Sequence, residues 1–273
     1  MINPESYRQG EWVNIPEEYV ILKYLEKTGL GPRSYFVDPE RFVFPLMIQE
    51  FIEAACFNDL KPLSEEHLAA AAKAIALLNS QGITPENFPF RKGYTRYSYL
   101  TSVKTWQKRL KEIKKSEQPD VLEWAQKIEK VIDGAKKILE KFEPLLEKAP
   151  FSFNFDGAHC GNTYWKNNKV IFLDWQKVSY GDPAFTLARF LTSVDKTGEV
   201  SSANKELMVQ TYLKRREVPN FAQLVDQRLF ERQTADLVWV LWNYVKENKI
   251  EPVEQTINIF PRYKRVKKLL EEY

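Results

Sequence analysis

The order of apolar and polar positions predicts a short mixed segment followed by a mostly helical body. Residues 14–28 fit a helix that Asn14 can cap and that Gly29 ends. Two extended runs follow at residues 33–39 and 42–53, and the second is almost continuously apolar, which indicates a buried strand. Further on, the apolar periodicity predicts helices over residues 68–80, with Ser64 as the cap, and over 98–115, 119–148, 183–195, 204–215 and 221–248.

One hairpin is predicted between the helical blocks. Its strands are GNTYW (161–165) and VIFLDW (170–175), and Asn167 and Asn168 between them tolerate the positive φ angles of a tight turn. The run DLVWVLWNYV (236–245) is apolar on every side, which predicts a central buried helix.

Composition indicates an ordinary soluble globule. The 273 residues are 44% hydrophobic and 28% charged, with 40 basic and 37 acidic residues. This balance gives no support to a nucleic-acid partner or a membrane partner, and the chain shows neither a signal peptide nor a membrane-spanning apolar run. Cys56 and Cys160 are far apart and lack metal-like spacing, which favours a reducing, cytoplasmic setting.

Three polar residues around the hairpin are candidates for chemistry. Asp156 precedes its first strand, Asn162 lies near the start of that strand, and Asp174 lies near the end of the second strand. Oxygen ligands on a loop and on the next strand can converge on a hard cation such as Mg²⁺, and a carboxylate can accept the proton of a hydroxyl group. The alternative interpretation is a capped loop with an aspartate at the end of a strand.

A longer pattern carries a family resemblance. DWQKVSYGDPAFTLARFL (174–191), HCGN (159–162) and Leu77-Leu78-Asn79 resemble, in order and spacing, motifs of the aminoglycoside phosphotransferase and choline kinase superfamily. The resemblance covers about residues 14 to 250. It implies an α+β, protein-kinase-like fold: a reduced N-terminal strand lobe (1–53), then a helical C-terminal lobe (54–273) that holds the catalytic-loop hairpin (153–175).

The resemblance also implies roles for individual residues. It implies Mg²⁺ and ATP as cofactors and a small-molecule hydroxyl as substrate, with Asn162 and Asp174 as metal ligands and Asp156 as base. His159 is a second candidate base or, as is more common in the family, a residue that orders the loop. The other implied roles are Asp182 as the cap of a helix that starts at Pro183, Gln49, Glu50, Phe51 and Ile52 as the hinge at the adenine, and Glu17 or Glu18 as the partner of the nucleotide-binding lysine.

Two departures from the family pattern bear on activity. Where the family has His-Gly-Asp, this chain has Phe155-Asp156-Gly157, and Asp156 stands six positions before Asn162 instead of five. Such a shift turns the Asp156 carboxylate to a different side of the loop. Gly157 is expected to make the loop more flexible. The family also places a glycine-rich hairpin and a lysine-bearing strand before the first helix, whereas here INPESYRQGEW follows Met1 directly.

These departures leave alternative functions open. The first hypothesis is an active small-molecule kinase. The second is a truncated, engineered or pseudoenzyme version whose opened cleft binds a small aromatic or cationic ligand. The third uses Asp156 or His159 for redesigned acid–base chemistry in that cleft. The residues predicted to line the cleft are aromatic, with a place in the core as the alternative: Phe153, Phe155, Trp165, Trp175, Trp239 and Trp242.

Overall fold

The computed structural model describes residues 15–41, 45–84, 86–87, 98–195 and 198–273. By internal contacts the chain divides into two compact units, each built from two stretches of sequence. The first unit is Met1–Thr95 with Pro150–Pro219, and the second is Arg96–Ala149 with Asn220–Tyr273. The sequence-based lobe boundary between residues 53 and 54 stays a prediction. No helix among the described residues is long and apolar enough to cross a membrane.

The first unit begins with helix α1 and a small antiparallel sheet. Helix α1 (Ile15–Leu25) continues into a 3-10 turn that ends at Gly29, whose φ of +67° is the left-handed conformation of a helix stop. Strand β1 (Ser34–Asp38) pairs with β2 (Leu46–Gln49). The predicted cap Asn14 and the first residues of the predicted strand 42–53 lie outside the described residues.

Strand β2 corrects the prediction of a buried strand. Leu46 is 36% exposed and Ile48 is 50% exposed, so the apolar run there does not enter the core. A continuous apolar run does not by itself predict burial, because the sequence does not show whether another element covers either face of the strand.

The predicted hairpin is present and belongs to a three-stranded sheet. Strand β3 (Ala55–Cys56) pairs with β5 (Thr163–Lys166), and β5 pairs with β6 (Lys169–Phe172). Asn167 and Asn168 have φ angles of +50° and +60°, which confirms the tight two-residue turn. The structure adds a pair that the sequence reading missed, β4 (Ser152–Phe155) with β7 (Val178–Gly181). Every residue of both strands is buried, although their sequences, SFNF and VSYG, alternate polar and apolar residues; at four residues each they lie at the lower limit of that signal.

Three helices complete the first unit. They are α2 (Glu65–Asn79), α5 (Ala184–Val194) and α6 (Ser202–Leu213). The Ser64 hydroxyl accepts the backbone N–H of His67, and the His67 ring accepts the N–H of Ser64, so the predicted cap is confirmed as a reciprocal capping box.

The second unit is helical. Its elements are α3 (Tyr99–Ile113), α4 (Pro119–Lys148), α7 (Phe221–Lys246), the short α8 (Val253–Thr256) and α9 (Ile259–Glu272). The sequence reading placed α3, α4 and α7 but missed α9. Helix α7 also corrects the prediction of a helix buried on every side, because Trp239 is 45% exposed although Leu237, Val238 and Leu241 are core residues.

Candidate functional site

Asn162 and Asp174 meet at the open end of the β5–β6 hairpin. Asn162 directly precedes β5, Asp174 follows β6 by two residues, and the Leu173 N–H donates to the Asn162 carbonyl at 2.9 Å. This backbone bond brings the two side chains together, and the Asn162 Nδ2 lies 3.4 Å from the Asp174 Oδ2. Asp174 is solvent-exposed and has a φ of +63°, a left-handed conformation that is uncommon for a residue other than glycine.

Amide and carboxylate oxygens are suitable ligands for Mg²⁺. The Asn162 amide donates to Asp174 and to the Gly157 carbonyl at 3.2 Å, and rotation of the amide by about 180° would present its oxygen instead. The described residues contain no group of three or more His, Cys, Asp or Glu side chains that could hold a metal. A site with two protein ligands therefore fits Mg²⁺ only if a substrate phosphate completes it, which is the usual arrangement for this ion.

A buried carboxylate supports the loop behind Asp174. The Trp175 N–H donates to Oε1 of Glu18 on α1 at 3.1 Å, and Glu18 is only 5% exposed. Burial raises the pKa of Glu18 to about 7, and the nearby charge of Asp174 adds to this rise, whereas hydrogen bonds from Trp175 and Gln176 act in the opposite direction. Of the two helix glutamates that the resemblance offered, Glu18 contacts the site loop, and Glu17 is half-buried beside it.

The loop that carries Asp156 is tied to β7 and α5. The Asp156 N–H donates to the Lys177 carbonyl at 2.9 Å, and the Asp156 carbonyl accepts from the Arg189 Nε at 3.1 Å. Its carboxylate Oδ1 accepts from the Ser179 hydroxyl at 2.5 Å. Ser179 therefore holds the carboxylate. No motif in the sequence points to this serine.

His159 orders the turn that leads to Asn162. Its Nδ1 accepts the Gly161 N–H at 3.1 Å, and its carbonyl accepts the Asn162 N–H at 2.9 Å. These contacts support the loop-ordering role. The base role of His159 stays a prediction.

The changed residues of the loop are packed closely. Phe155 is fully buried and stacks on Trp175 with ring centroids 4.4 Å apart. A Cβ on Gly157 would come within 2.5 Å of the Phe155 ring and 3.2 Å of the Asp174 carbonyl. The prediction that Gly157 loosens the loop is therefore wrong, because this glycine is needed for the close approach of the two loops.

A buried polar network anchors β4 beneath the site. The Asn154 Nδ2 donates to the Asp182 carbonyl at 3.0 Å, and its Oδ1 accepts from Thr186 and from Asn79. The Tyr212 hydroxyl donates to the Asn79 Oδ1 at 3.0 Å. Sequence analysis did not identify Asn154 or Thr186 as anchors, although a single amide between two phenylalanines of a buried strand was an available signal.

Asp182 and the hinge residues lie in different parts of the first unit. Asp182 is fully buried and its Oδ1 accepts the Ala184 N–H at 3.0 Å, which is the contact that capping of α5 requires. The predicted adenine hinge, residues 49–52, begins at the last residue of β2. There the Glu50 N–H donates to the Arg33 carbonyl at 2.7 Å, and the Phe51 side chain is 87% exposed.

The predicted aromatic cleft is not present as one site. Phe153, Phe155 and Trp175 are core residues with at most 1% exposure, so they do not line an open cleft. Trp165 is half-buried and lines a separate cavity. Trp239 and Trp242 belong to the second unit, where the Trp242 indole N–H donates to Glu112. The prediction was wrong because aromatic residues are common both in buried cores and in ligand clefts, so the residue type alone does not distinguish the two locations.

The family follows from comparison with known proteins. The model of the phosphotransferase enzyme family matches residues 7–217, which is well over half of the chain. This chain belongs to the phosphotransferase enzyme family. No curated protein matches it significantly.

Solved structures place this family member on the α+β, protein-kinase-like fold with a small strand lobe. A choline/ethanolamine kinase family protein from Mesorhizobium loti matches with a TM-score of 0.65 and 17% identity, over 95% of this chain and 80% of that one. The choline kinase LicA from Streptococcus pneumoniae matches with a TM-score of 0.65 and 13% identity, over 100% and 85%. A spectinomycin phosphotransferase in complex with ADP and spectinomycin matches with a TM-score of 0.61 and 13% identity, over 93% and 78%. At these identities the likeness shows the fold alone.

Proposed function

We propose that this phosphotransferase family member transfers the γ-phosphoryl group of ATP, with Mg²⁺, to a hydroxyl group of a small molecule. The single observation that supports this most strongly is the 3.4 Å approach of the Asn162 and Asp174 side chains inside a chain of this family. Mg²⁺ bound there would neutralise charge on the ATP phosphates. Choline-like amino alcohols and aminoglycosides are the first substrates to test, because the structural relatives are named for compounds of these classes.

Each residue of the candidate site would have one role in the reaction. Asn162 and Asp174 would bind the metal, and Glu18 would fix the backbone of the Asp174 loop through Trp175. Asp156 would accept the proton of the substrate hydroxyl, and Ser179 would orient its carboxylate. The hinge, Gln49 to Ile52, would contact the adenine, with the exposed Phe51 ring available for stacking.

Formation of ADP tests this function. Purified protein is incubated with ATP, Mg²⁺ and a panel of amino alcohols and aminoglycosides, and acceptor-dependent ADP is measured. We expect one class of acceptor to increase ADP formation in the wild type but not in Asp174→Asn. Absence of acceptor-dependent ADP with the whole panel, in protein that does not bind MgATP, would contradict the proposal.

A second candidate function is ligand binding without catalysis. The Ser179–Asp156 hydrogen bond favours it, because the carboxylate oxygen that accepts from Ser179 is already occupied and is less accessible to a substrate hydroxyl. This candidate predicts that MgATP binds but that no acceptor produces ADP, in the wild type and in Ser179→Ala alike.

A further inference from the structure

A cavity of about 830 Å³ lies in the first unit at the turn end of the β5–β6 hairpin. Trp165, Lys169 and Val170 of the hairpin line it, whereas Asn162 and Asp174 flank the opposite end of the same hairpin. A four-residue strand at about 3.3 Å per residue separates the two ends by about 10 Å. The cavity is thus distinct from the site proposed for ATP and metal.

The floor of this cavity is apolar and comes from helix α2. One face of α2, with Ala71, Ala72 and Ile75, is fully buried in the core. The other face presents Ala70 and Leu77 to the cavity, and Leu77 is 43% exposed. The short alanine side chains create the space, and an exposed leucine within a concave surface gains from an apolar ligand that covers it.

Three cationic side chains surround this floor. Lys73 comes from α2, Lys169 begins β6, and Arg215 follows α6. Within the described residues none of the three makes an ion pair or a side-chain hydrogen bond. The lining carboxylate Glu66 lies seven residues before Lys73, about 10 Å along the helix. Among the described lining residues, the cavity therefore has three cationic side chains and one carboxylate, Glu66.

Trp165 supplies a flat, fixed wall. Its ring meets the His67 ring edge to face with centroids 4.9 Å apart, and Phe57 lies 6.3 Å away. His67 is held in turn by the capping box of α2. A tryptophan held in this way can pack against a planar ligand at little cost in side-chain entropy.

We propose that this cavity binds a small organic anion. Lys73, Lys169 and Arg215 would hold its carboxylate, sulfonate or phosphate group, and the alanine face of α2 and Trp165 would cover its flat apolar body. Cationic side chains from three elements surround one apolar surface. This arrangement fits a ligand that has both an anionic group and an apolar body, and it disfavours a neutral ligand.

The test uses 8-anilinonaphthalene-1-sulfonate, which combines an aromatic body with a sulfonate, and its neutral analogue N-phenyl-1-naphthylamine. We expect saturable binding of the sulfonate at one site per chain, at least tenfold tighter than that of the neutral compound. Because the site exists only in the folded protein, the sulfonate should also raise the melting temperature. Equal affinity for both compounds, or a lowered melting temperature, would overturn the proposal.

Matched variants locate the binding. Lys73→Ala and Arg215→Ala should each weaken sulfonate binding about tenfold, as expected for a lost charge-assisted hydrogen bond. Ala70→Trp should block it by filling the cavity. Lys104→Ala, an exposed lysine of α3, is the control and should leave it unchanged. Asp174→Asn should also leave it unchanged, so loss of binding in that variant, or full retention in Lys73→Ala and Arg215→Ala, would contradict the cavity site.

Discussion

The amide of Asn162 and the carboxylate of Asp174 lie 3.4 Å apart because a backbone hydrogen bond closes the open end of one hairpin. The two residues are twelve positions apart in sequence, yet the tight turn at Asn167 and Asn168 makes their meeting a direct result of strand register. The geometry of this pair therefore depends on how well the hairpin and its neighbouring loops are held.

Gly157 is the first point at which that support can be tested. Gly157→Ala places a methyl group within 2.5 Å of the Phe155 ring, so one of the two packed loops must move. We expect the free energy of unfolding to fall by about 1–3 kcal/mol, the usual cost of overpacking. Urea denaturation measures this loss. The control is Ser202→Ala, at an exposed position. Gly82→Ala is unsuitable as a control because Gly82 has a positive φ, which is strained for alanine.

Asn154 is the second point of support. Asn154→Ala would leave the Asp182 carbonyl and the Thr186 hydroxyl without their buried partner. Each orphaned group costs about 1–3 kcal/mol, so we expect the two together to lower the free energy of unfolding by about 2–6 kcal/mol. Asn243→Ala removes an exposed amide that bonds to Glu247 and should cost less than about 0.5 kcal/mol. Equal losses in the two variants would show that the network does not stabilise the fold.

Glu18 should make stability depend on pH. Its pKa is about 7 in the folded protein against an ordinary value of 4.5, so the folded protein binds this proton more tightly than the unfolded chain does. Stability should therefore fall as pH rises from about 4.5 to about 7, by at most about 3 kcal/mol.

Glu18→Gln keeps an oxygen that can accept the Trp175 N–H but removes the titration. Urea denaturation in EDTA should show this variant more stable than the wild type at pH 8 and nearly equal to it at pH 5. Glu117→Gln, at an exposed position, is the control. If the difference between Glu18→Gln and the wild type is the same at both pH values, the buried carboxylate is not linked to folding in this range.

Substitution of Asp156 should lower the rate of catalysis without weakening the binding of MgATP. Asp156→Asn should lower the rate of acceptor-dependent ADP formation by about 10²–10⁴-fold, as for loss of a general base. MgATP affinity should stay within about twofold, because the base contacts the hydroxyl substrate and not the metal. Steady-state kinetics and calorimetry on the same preparation measure both quantities. An unchanged rate would exclude Asp156 as the base and leave His159 to be tested.

The sequence predicted the parts of the fold that depend on local signals. Helix α4 was placed at residues 119–148 as observed, because its apolar stripe is regular, and the hairpin turn followed from two consecutive asparagines. Strands β4 and β7 were missed although SFNF and VSYG alternate polar and apolar residues, because runs of four residues are at the lower limit of that signal. Helix α9 was missed although Ile259 and Val266 are spaced by two helical turns and both are buried.

The candidate site was predictable only in part. Motif spacing selected Asn162 and Asp174, which the structure brings together, but it did not indicate the contacts that support them. Glu18 and Trp175 are 157 positions apart, and Asp156 and Ser179 are joined only by the β4–β7 pairing that was missed. Contacts of this kind depend on tertiary packing, which one sequence does not reveal.

Calorimetric titration with ATP, in Mg²⁺ and then in EDTA, tests the metal pair most directly. We expect binding tighter than about 1 mM, or about 4 kcal/mol of binding free energy, that disappears in EDTA and in Asp174→Asn. Asp133→Asn, an exposed aspartate of α4, should bind like the wild type. No binding in Mg²⁺, or binding that persists in EDTA and in Asp174→Asn, would contradict the assignment of Asn162 and Asp174 as the metal site of a phosphotransferase.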